Sequence, residues 1–214
     1  MQAEDQPSTP LSPTEARIVA VLMEKELTTP NNYPLTLNSL MLACNQKSNR
    51  EPVMELTEGQ VGNQVNKLAD RGLLFVEYGE RALRISHKAR SNYKLDRKQQ
   101  AVMAVLMLRA PQTSNEILIR TARMADFSGV DEIQQILEEL IEREPPLAVR
   151  FEKGEGRREE RYSHLLSGAV ELPRAESTAR AGISKVPVSD IEERLIALER
   201  RITELEARLE ALEN

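Results

Sequence analysis

Amide and basic side chains share one face of a segment that is predicted to be helical. Val61, Val65 and Leu68 recur at helical spacing, so the polar residues between them face the other way. Asn and Gln can pair with adenine edges in the major groove, and Lys or Arg can bind phosphate or guanine. Together with cations of the next segment, the predicted DNA-binding residues are Asn63, Gln64, Asn66, Lys67, Arg71, Arg84 and Lys88.

Further basic residues are concentrated directly after this helix. Between residues 81 and 98, the only acidic residue is Asp96, and the cations are Arg81, Arg84, Lys88, Arg90, Lys94, Arg97 and Lys98. The whole chain has a net charge of −5, which disfavours a general nucleic-acid coat but allows one local basic surface. The alternative is a solvated helix face beside an ordinary charged hairpin.

Cysteine and histidine, which are common in zinc sites and in nucleophilic catalysis, are sparse. The chain has one cysteine, Cys44, and two histidines, His87 and His164, which excludes an internal disulfide and disfavours a zinc site. The glycines at 154 and 156 lack the third glycine of a dinucleotide motif, and they lie in a predicted hairpin. We therefore expect no enzyme activity, no cofactor and no metal, and we interpret Cys44 as a small core residue.

Helix starts are the most specific local signals. A Ser, Thr or Asp followed three residues later by Glu or Gln predicts an N-terminus in which the two residues bond reciprocally. This pattern occurs at Ser12, Thr57, Asp96, Thr113 and Ser189, with a looser version at Ser128. A further helix is predicted from about residue 36 to 44. Strand-like segments around glycine loops predict hairpins at 73–85 and 147–165.

The order of three helices and a hairpin therefore occurs twice. Residues 61–71 align with 133–143, with apolar residues in register and Arg71 over Arg143. This order is typical of the winged helix-turn-helix. We predict a mainly α, α+β fold with two tandem winged-helix domains and a C-terminal coiled-coil helix. The segments are a disordered N-terminus (1–10), domain 1 (11–90), domain 2 (91–168), a flexible linker (169–188) and the coiled-coil helix (189–214). The alternative is one unrelated α+β domain whose apparent repeat is a coincidence.

Polar motifs in both predicted domains make the chain resemble a known family. The motifs are residues 27–35 (LTTPNNYPL), 43–53 (ACNQKSNREPV), 120–124 (RTARM) and 161–165 (RYSHL). They resemble the YceH-like family of uncharacterised bacterial proteins. The resemblance covers residues 11–168 and implies a tandem winged-helix fold, but it supplies no activity, substrate or catalytic residue. From its residues, the stretch 45–50 either contacts phosphate or fixes the turn, and we favour the second.

The two predicted domains differ in charge. The third helix of the second domain carries Asp131, Glu132, Glu138, Glu139 and Glu142, which DNA phosphates would repel. We therefore expect a protein partner there and a non-enzymatic, regulatory DNA-binding function in the first domain. The alternative is a scaffold in which both domains bind proteins without DNA, which exposed Glu55, Glu58 and Asp70 would favour.

Segments for export or membrane insertion are not evident. The acidic, polar start is unlike a signal peptide, and the longest apolar run, 101–108, is far shorter than the roughly 20 residues that span a bilayer. A cytoplasmic protein without membrane partners is therefore expected.

A heptad seam runs along the C-terminal segment. The apolar positions are Ile191, Leu195, Leu198, Ile202, Leu205, Leu209 and Leu212. Charged residues flank them, and in a parallel pair the facing partners are Arg194 with Glu199, Arg201 with Glu206, and Arg208 with Glu213. All three pairs attract, whereas an antiparallel pair would place like charges together. We expect a parallel coiled-coil homodimer. A trimer, or a lone helix folded against the rest of the chain, is the alternative.

The charge pattern generates the first test. Replacing Arg194, Arg201 and Arg208 with Glu should block self-association, because each attractive pair becomes repulsive. Light scattering measures the mass, and deletion of residues 189–214 should give a monomer as well. A deletion variant that stays dimeric would contradict the coiled-coil prediction.

Overall fold

The computed structural model describes residues 9–79, 82–152 and 159–168. In this part the fold is α+β, as predicted, with helices and two antiparallel hairpins. The elements are α1 (Pro13–Thr28), a 3-10 helix (Pro30–Asn32), α2 (Leu37–Cys44), α3 (Glu58–Asp70), β1 (Leu74–Tyr78), β2 (Leu83–His87), α4 (Ala89–Asn92), α5 (Arg97–Leu108), α6 (Ser114–Thr121), α7 (Val130–Ile141), β3 (Ala148–Phe151) and β4 (Arg161–His164). The predictions for residues 1–8, for the linker and for the coiled-coil helix lie outside the described residues.

The predicted helix starts are confirmed at four positions. Ser12, Thr57, Asp96 and Thr113 each form the reciprocal capping box that the sequence pattern predicts. The start predicted at Ser128 is wrong, because α7 is capped at Gly129 without a side-chain bond. The Ser128 hydroxyl and backbone N–H instead donate to the Glu132 carboxylate, at 3.0 and 2.7 Å.

The order of three helices and a hairpin occurs twice, and each copy contains an equivalent pair of tertiary hydrogen bonds. Leu35, just before α2, exchanges two backbone hydrogen bonds with Ile85 of β2, at 3.1 and 2.8 Å. Gln112, just before α6, does the same with Tyr162 of β4, at 3.0 and 2.7 Å. In each copy the second strand of the hairpin therefore pairs with the residue that leads into the second helix.

Arg71 and Arg143, which align in the sequence repeat, also make equivalent contacts. Arg71 donates to the Glu15 carboxylate at 3.1 Å and to the Thr9 carbonyl at 2.5 Å. Arg143 donates to Gln99 Oε1 at 2.9 Å and to the Tyr93 carbonyl at 2.6 Å. Glu15 and Gln99 are the third residues of the capping boxes of α1 and α5. Each arginine thus ties the end of a third helix to the start of the first helix of its own half.

The two halves share one apolar core through α1 and α5. Residues 18–23 of α1 and 101–108 of α5 are buried without interruption, so neither helix keeps a polar face along these runs. A helix that is apolar all round must be covered on every side. The fully buried Gln100 of α5 also donates to the Met23 carbonyl at 3.1 Å and to Glu26 Oε2 at 2.7 Å on α1.

The predicted boundary between residues 90 and 91 falls inside the short helix α4. Tyr93 and Leu95, which follow α4, are buried in the common core. The segment that joins the halves is therefore packed, and it contributes apolar side chains of its own.

Cys44 provides a probe of the shared core. Its thiol is buried, as predicted, and burial raises the pKa of Cys44 to about 12, so the native thiol should react slowly with alkylating reagents. Leu106→Ala, in the other half, should lower the free energy of unfolding by about 2–5 kcal/mol because it leaves a cavity. Because the halves share one core, this change should accelerate alkylation of Cys44 at least about tenfold. Gln134→Ala on the exposed face of α7 is the control. An unchanged rate in Leu106→Ala would show that the halves open independently.

Candidate functional site

The predicted DNA-binding residues of α3 form an exposed face. Val61, Val65 and Leu68 are buried in the core, and Asn63, Asn66 and Lys67 are exposed between them. Gln64 is half-buried beside this face. The Thr57 capping box fixes where the helix begins and therefore which residues face outward. We call Asn63, Asn66 and Lys67 the α3 face.

Three other predicted residues make contacts outside the α3 face. Arg71 is engaged by Glu15 and Thr9, as described above. The Arg84 guanidinium donates to the Pro34 carbonyl at 3.2 Å. The Lys88 ammonium lies 5.6 Å from the centre of the Phe75 ring, in a cation–π contact on the hairpin.

The basic segment 81–98 is divided between surfaces. Lys98 pairs with Glu132 of α7, and its ammonium lies 5.6 Å from the Phe127 ring. The hydrogen bond from Lys98, with one from the Ser128 backbone, lowers the pKa of Glu132 to about 2. At least one of these cations therefore serves the packing of the second half rather than a ligand surface.

Acidic side chains lie around the α3 face. Glu55, Glu58 and Asp70 are all exposed, and Lys67 is the only cation on α3. Phosphate repulsion from these carboxylates would limit how closely a duplex approaches both ends of the helix. The exposure of Glu55, Glu58 and Asp70 therefore favours the alternative in which the protein is a scaffold.

The polar motif at 45–50 mainly fixes the loop between α2 and α3, which is the interpretation that we favoured over phosphate contact. Asn45 exchanges two hydrogen bonds with the Leu56 backbone, both at 2.8 Å. Arg50 is buried, and it binds both carboxylate oxygens of Glu24, at 3.1 and 2.5 Å, and the Ala43 carbonyl at 3.1 Å. Lys47 and Ser48 of the same motif are exposed.

A second buried arginine supports the same loop from α1. Arg17 donates to the Cys44 carbonyl at 3.1 Å, where the loop begins, and to the Pro52 carbonyl at 2.6 Å, in the middle of the loop. Burial, with the like charge of Arg50, lowers the pKa of Arg17. This role of Arg17 was missed, because an arginine within an apolar helical run gives no indication of which distant carbonyls it binds.

Among the described residues, no cluster of three or more His, Cys, Asp or Glu side chains could hold a metal ion. The helices of the described part are all too short or too polar to cross a bilayer.

The contacts of Arg71 generate a stability prediction. Arg71→Ala should lower the free energy of unfolding by about 1 kcal/mol, because Glu15 and the Thr9 carbonyl lose their donor. Burial opposes ionisation of Glu15, but bonds from Ser12 and the charge of Arg71 lower its pKa overall. The stabilisation is therefore present at neutral pH and is lost as the pH falls through the pKa of Glu15 in the folded protein. Urea unfolding of both proteins at pH 7 and pH 3 measures this. A difference that persists undiminished at pH 3 would contradict the assignment.

Comparison with known proteins identifies the family. Residues 11–157 match the model of a family described as "Protein of unknown function, DUF480". A UPF0502 protein of Cellvibrio japonicus is 43% identical over 204 residues, covering 94% of both chains. A UPF0502 protein of Mesorhizobium japonicum is 43% identical over 202 residues, covering 94% of this chain and 96% of its own. One from Pseudomonas aeruginosa is 49% identical over 166 residues, covering 78% and 74%. These matches agree with the resemblance found from the motifs, and the chain belongs to the DUF480/UPF0502 family of bacterial proteins.

Proposed function

We propose that this protein is a non-enzymatic, regulatory DNA-binding protein that contacts the duplex through the α3 face of its first half. The observation that carries the proposal is the exposure of two amides and one cation on the third helix of a three-helix-and-hairpin unit. In such units the third helix enters the major groove, which is wide enough to admit an α-helix. Asn63 and Asn66 would pair with base edges, and Lys67 would bind phosphate or guanine.

The charge of the second half favours a different binding partner for that half. Its third helix, α7, exposes Asp131 and Glu139, and its remaining carboxylates include Glu138, which pairs with Arg150 at 2.6 Å. A helix with this charge would be repelled by phosphates on both walls of a groove. We assign α7 to contact with a protein partner, and the interpretation of both halves as winged helices is part of the proposal.

The test is binding to a short random-sequence duplex, measured by fluorescence anisotropy at several salt concentrations. Binding should weaken as salt rises, because each neutralised phosphate releases counterions. Lys67→Ala should reduce the slope of log affinity against log salt by about one unit, for all sequences alike. Asn63→Ala should leave this slope unchanged and alter the sequences selected from a random pool, because an amide reads bases rather than charge.

Lys98→Ala is the matched control, because it removes the same charge from a lysine that is paired with Glu132 rather than placed on α3. This variant should keep the wild-type slope. Wild-type protein that shows no salt-dependent association with DNA at low ionic strength would remove the proposal.

A scaffold that binds proteins with both halves is the second candidate. The specific observation in its favour is the exposure of Glu55, Glu58 and Asp70 around the α3 face. Neutralising these three residues (Glu55→Gln, Glu58→Gln and Asp70→Asn) should strengthen DNA binding several-fold if α3 meets a duplex, because phosphate repulsion is removed. If the scaffold is correct, the same changes should produce no DNA binding.

A further inference from the structure

A cleft of about 650 Å³ lies between the two halves, and none of its described lining residues belongs to α3. One wall comes from the C-terminal part of α1 and from the loop after α2, and the other comes from the end of α5 and from α6 with the turn after it. The cations that line the cleft are Lys25, Lys47, Arg109, Arg120 and Arg123. Among the described residues of the lining, Glu24 is the only acidic one.

The positive charge of this cleft is largely uncompensated. Arg50 already binds both oxygens of Glu24, so this carboxylate has little capacity to neutralise Lys25, which lies 3.6 Å from it. Within the described part of the chain, Lys47, Arg109 and Arg123 form no ion pair, and Arg120 lies 3.5 Å from Glu116. Burial and the like charge of Arg120 and Arg50 lower the pKa of Arg109, against the opposing effect of Glu24 and Glu51. Cations held together in excess of their acidic neighbours create a site that an anion stabilises.

Contacts between the two halves hold the walls of the cleft in place. Arg109 donates to Asn49 Oδ1 at 2.6 Å across the cleft, and the Glu51 backbone N–H donates to the Leu108 carbonyl at 2.9 Å. Asn49 has a φ of 62°, a left-handed conformation that Asn tolerates better than most residues. The buried Arg50 next to it holds the loop to Glu24. The cleft walls are therefore preorganised, which lowers the entropic cost of binding.

The volume of the cleft limits the size of a ligand that it can hold. A volume of about 650 Å³ is in the range of small-molecule sites, whereas a DNA duplex is too broad to enter a cleft of this size. Arginine guanidinium groups bind phosphate oxygens in a bidentate manner, and three of the five cations are arginines. The exposed side chain of Ile119, at the same cleft, adds an apolar surface.

We propose that this cleft binds a small anion that carries two or more linked phosphate groups. One resemblance motif from each half lines this cleft, since Lys47 and Asn49 belong to 43–53 and Arg120 and Arg123 to 120–124. This site is separate from the α3 face, and it does not depend on whether the protein binds DNA.

Isothermal titration calorimetry of the full chain with sodium pyrophosphate tests the proposal, in phosphate-free buffer at moderate salt. We expect one site per chain with a dissociation constant below about 100 μM. Lys47→Ala and Arg123→Ala should each weaken binding roughly tenfold, because each removes a charge-assisted hydrogen bond to phosphate. Both side chains are exposed, so both variants should retain the wild-type unfolding temperature.

Two controls define the chemistry. Arg150→Ala removes an arginine that is paired with Glu138 outside the cleft, and it should bind pyrophosphate like the wild type. Citrate, a polycarboxylate, should bind more weakly than pyrophosphate. Absence of saturable pyrophosphate binding, equal affinity of Lys47→Ala and Arg123→Ala with the wild type, or citrate binding as tight as pyrophosphate would each overturn the proposal.

Inorganic triphosphate and adenosine triphosphate distinguish the source of the phosphates. Tighter binding of the nucleotide, lost in Ile119→Ala, would support a nucleotide ligand, and equal binding of the two would support an inorganic polyphosphate. If Lys47→Ala and Arg123→Ala weaken association with duplex DNA and leave pyrophosphate binding unchanged, the cleft is part of a DNA interface and the proposal is wrong.

Discussion

The packing of α1 against α5 is the constraint on which the rest of this structure depends. Residues 18–23 and 101–108 present apolar side chains in every direction, so each helix must be surrounded by protein. The two helices cover each other, and the remaining helices and hairpin of each half cover their outer sides. The cleft between the halves has its shape because α1 and α5 hold the halves in one compact unit.

Several arginine side chains in the described part of the chain bind backbone carbonyls and carboxylates. Arg17 and Arg50 fix the loop after α2. Arg71 and Arg143 each join the end of the third helix to the start of the first helix within their own half. A guanidinium can serve such roles because it has several donors in one plane and remains charged when buried. The net charge of a segment is consequently a poor guide to its ligands, since many of its cations are already bound within the fold.

The two halves have the same frame and different surfaces. The capping box of the first helix, the bridges at Leu35 and Gln112 and the arginine contacts recur in both halves. The third helices differ, because α3 exposes a lysine beside its amides and carboxylates, whereas α7 exposes amides and carboxylates and contains no cation. Similar frames with different surfaces are expected where packing determines the frame and the exposed side chains determine the partner. The cleft between the halves draws its cations from both, so neither half contains it alone.

The sequence by itself determined the features whose partners lie nearby along the chain. The capping boxes join residues three positions apart, the apolar spacing of α3 and α7 defines their buried faces, and each hairpin is built from adjacent segments. Four helix starts and both hairpins could therefore be predicted, and the family could be identified from contiguous motifs. The start at Ser128 failed because its hydroxyl bonds to Glu132 instead of a free backbone amide.

Only the tertiary structure decided which charged residues remain available for a ligand. Arg71 meets Glu15, Lys98 meets Glu132 and Arg50 meets Glu24. Each of these contacts joins residues far apart in the chain, and local periodicity carries no information about them. The five cations of the cleft are likewise scattered along the sequence, and the burial of α1 against α5 brings them together. Their proximity is a consequence of packing, because the apolar core fixes the positions of the helices and the charges follow.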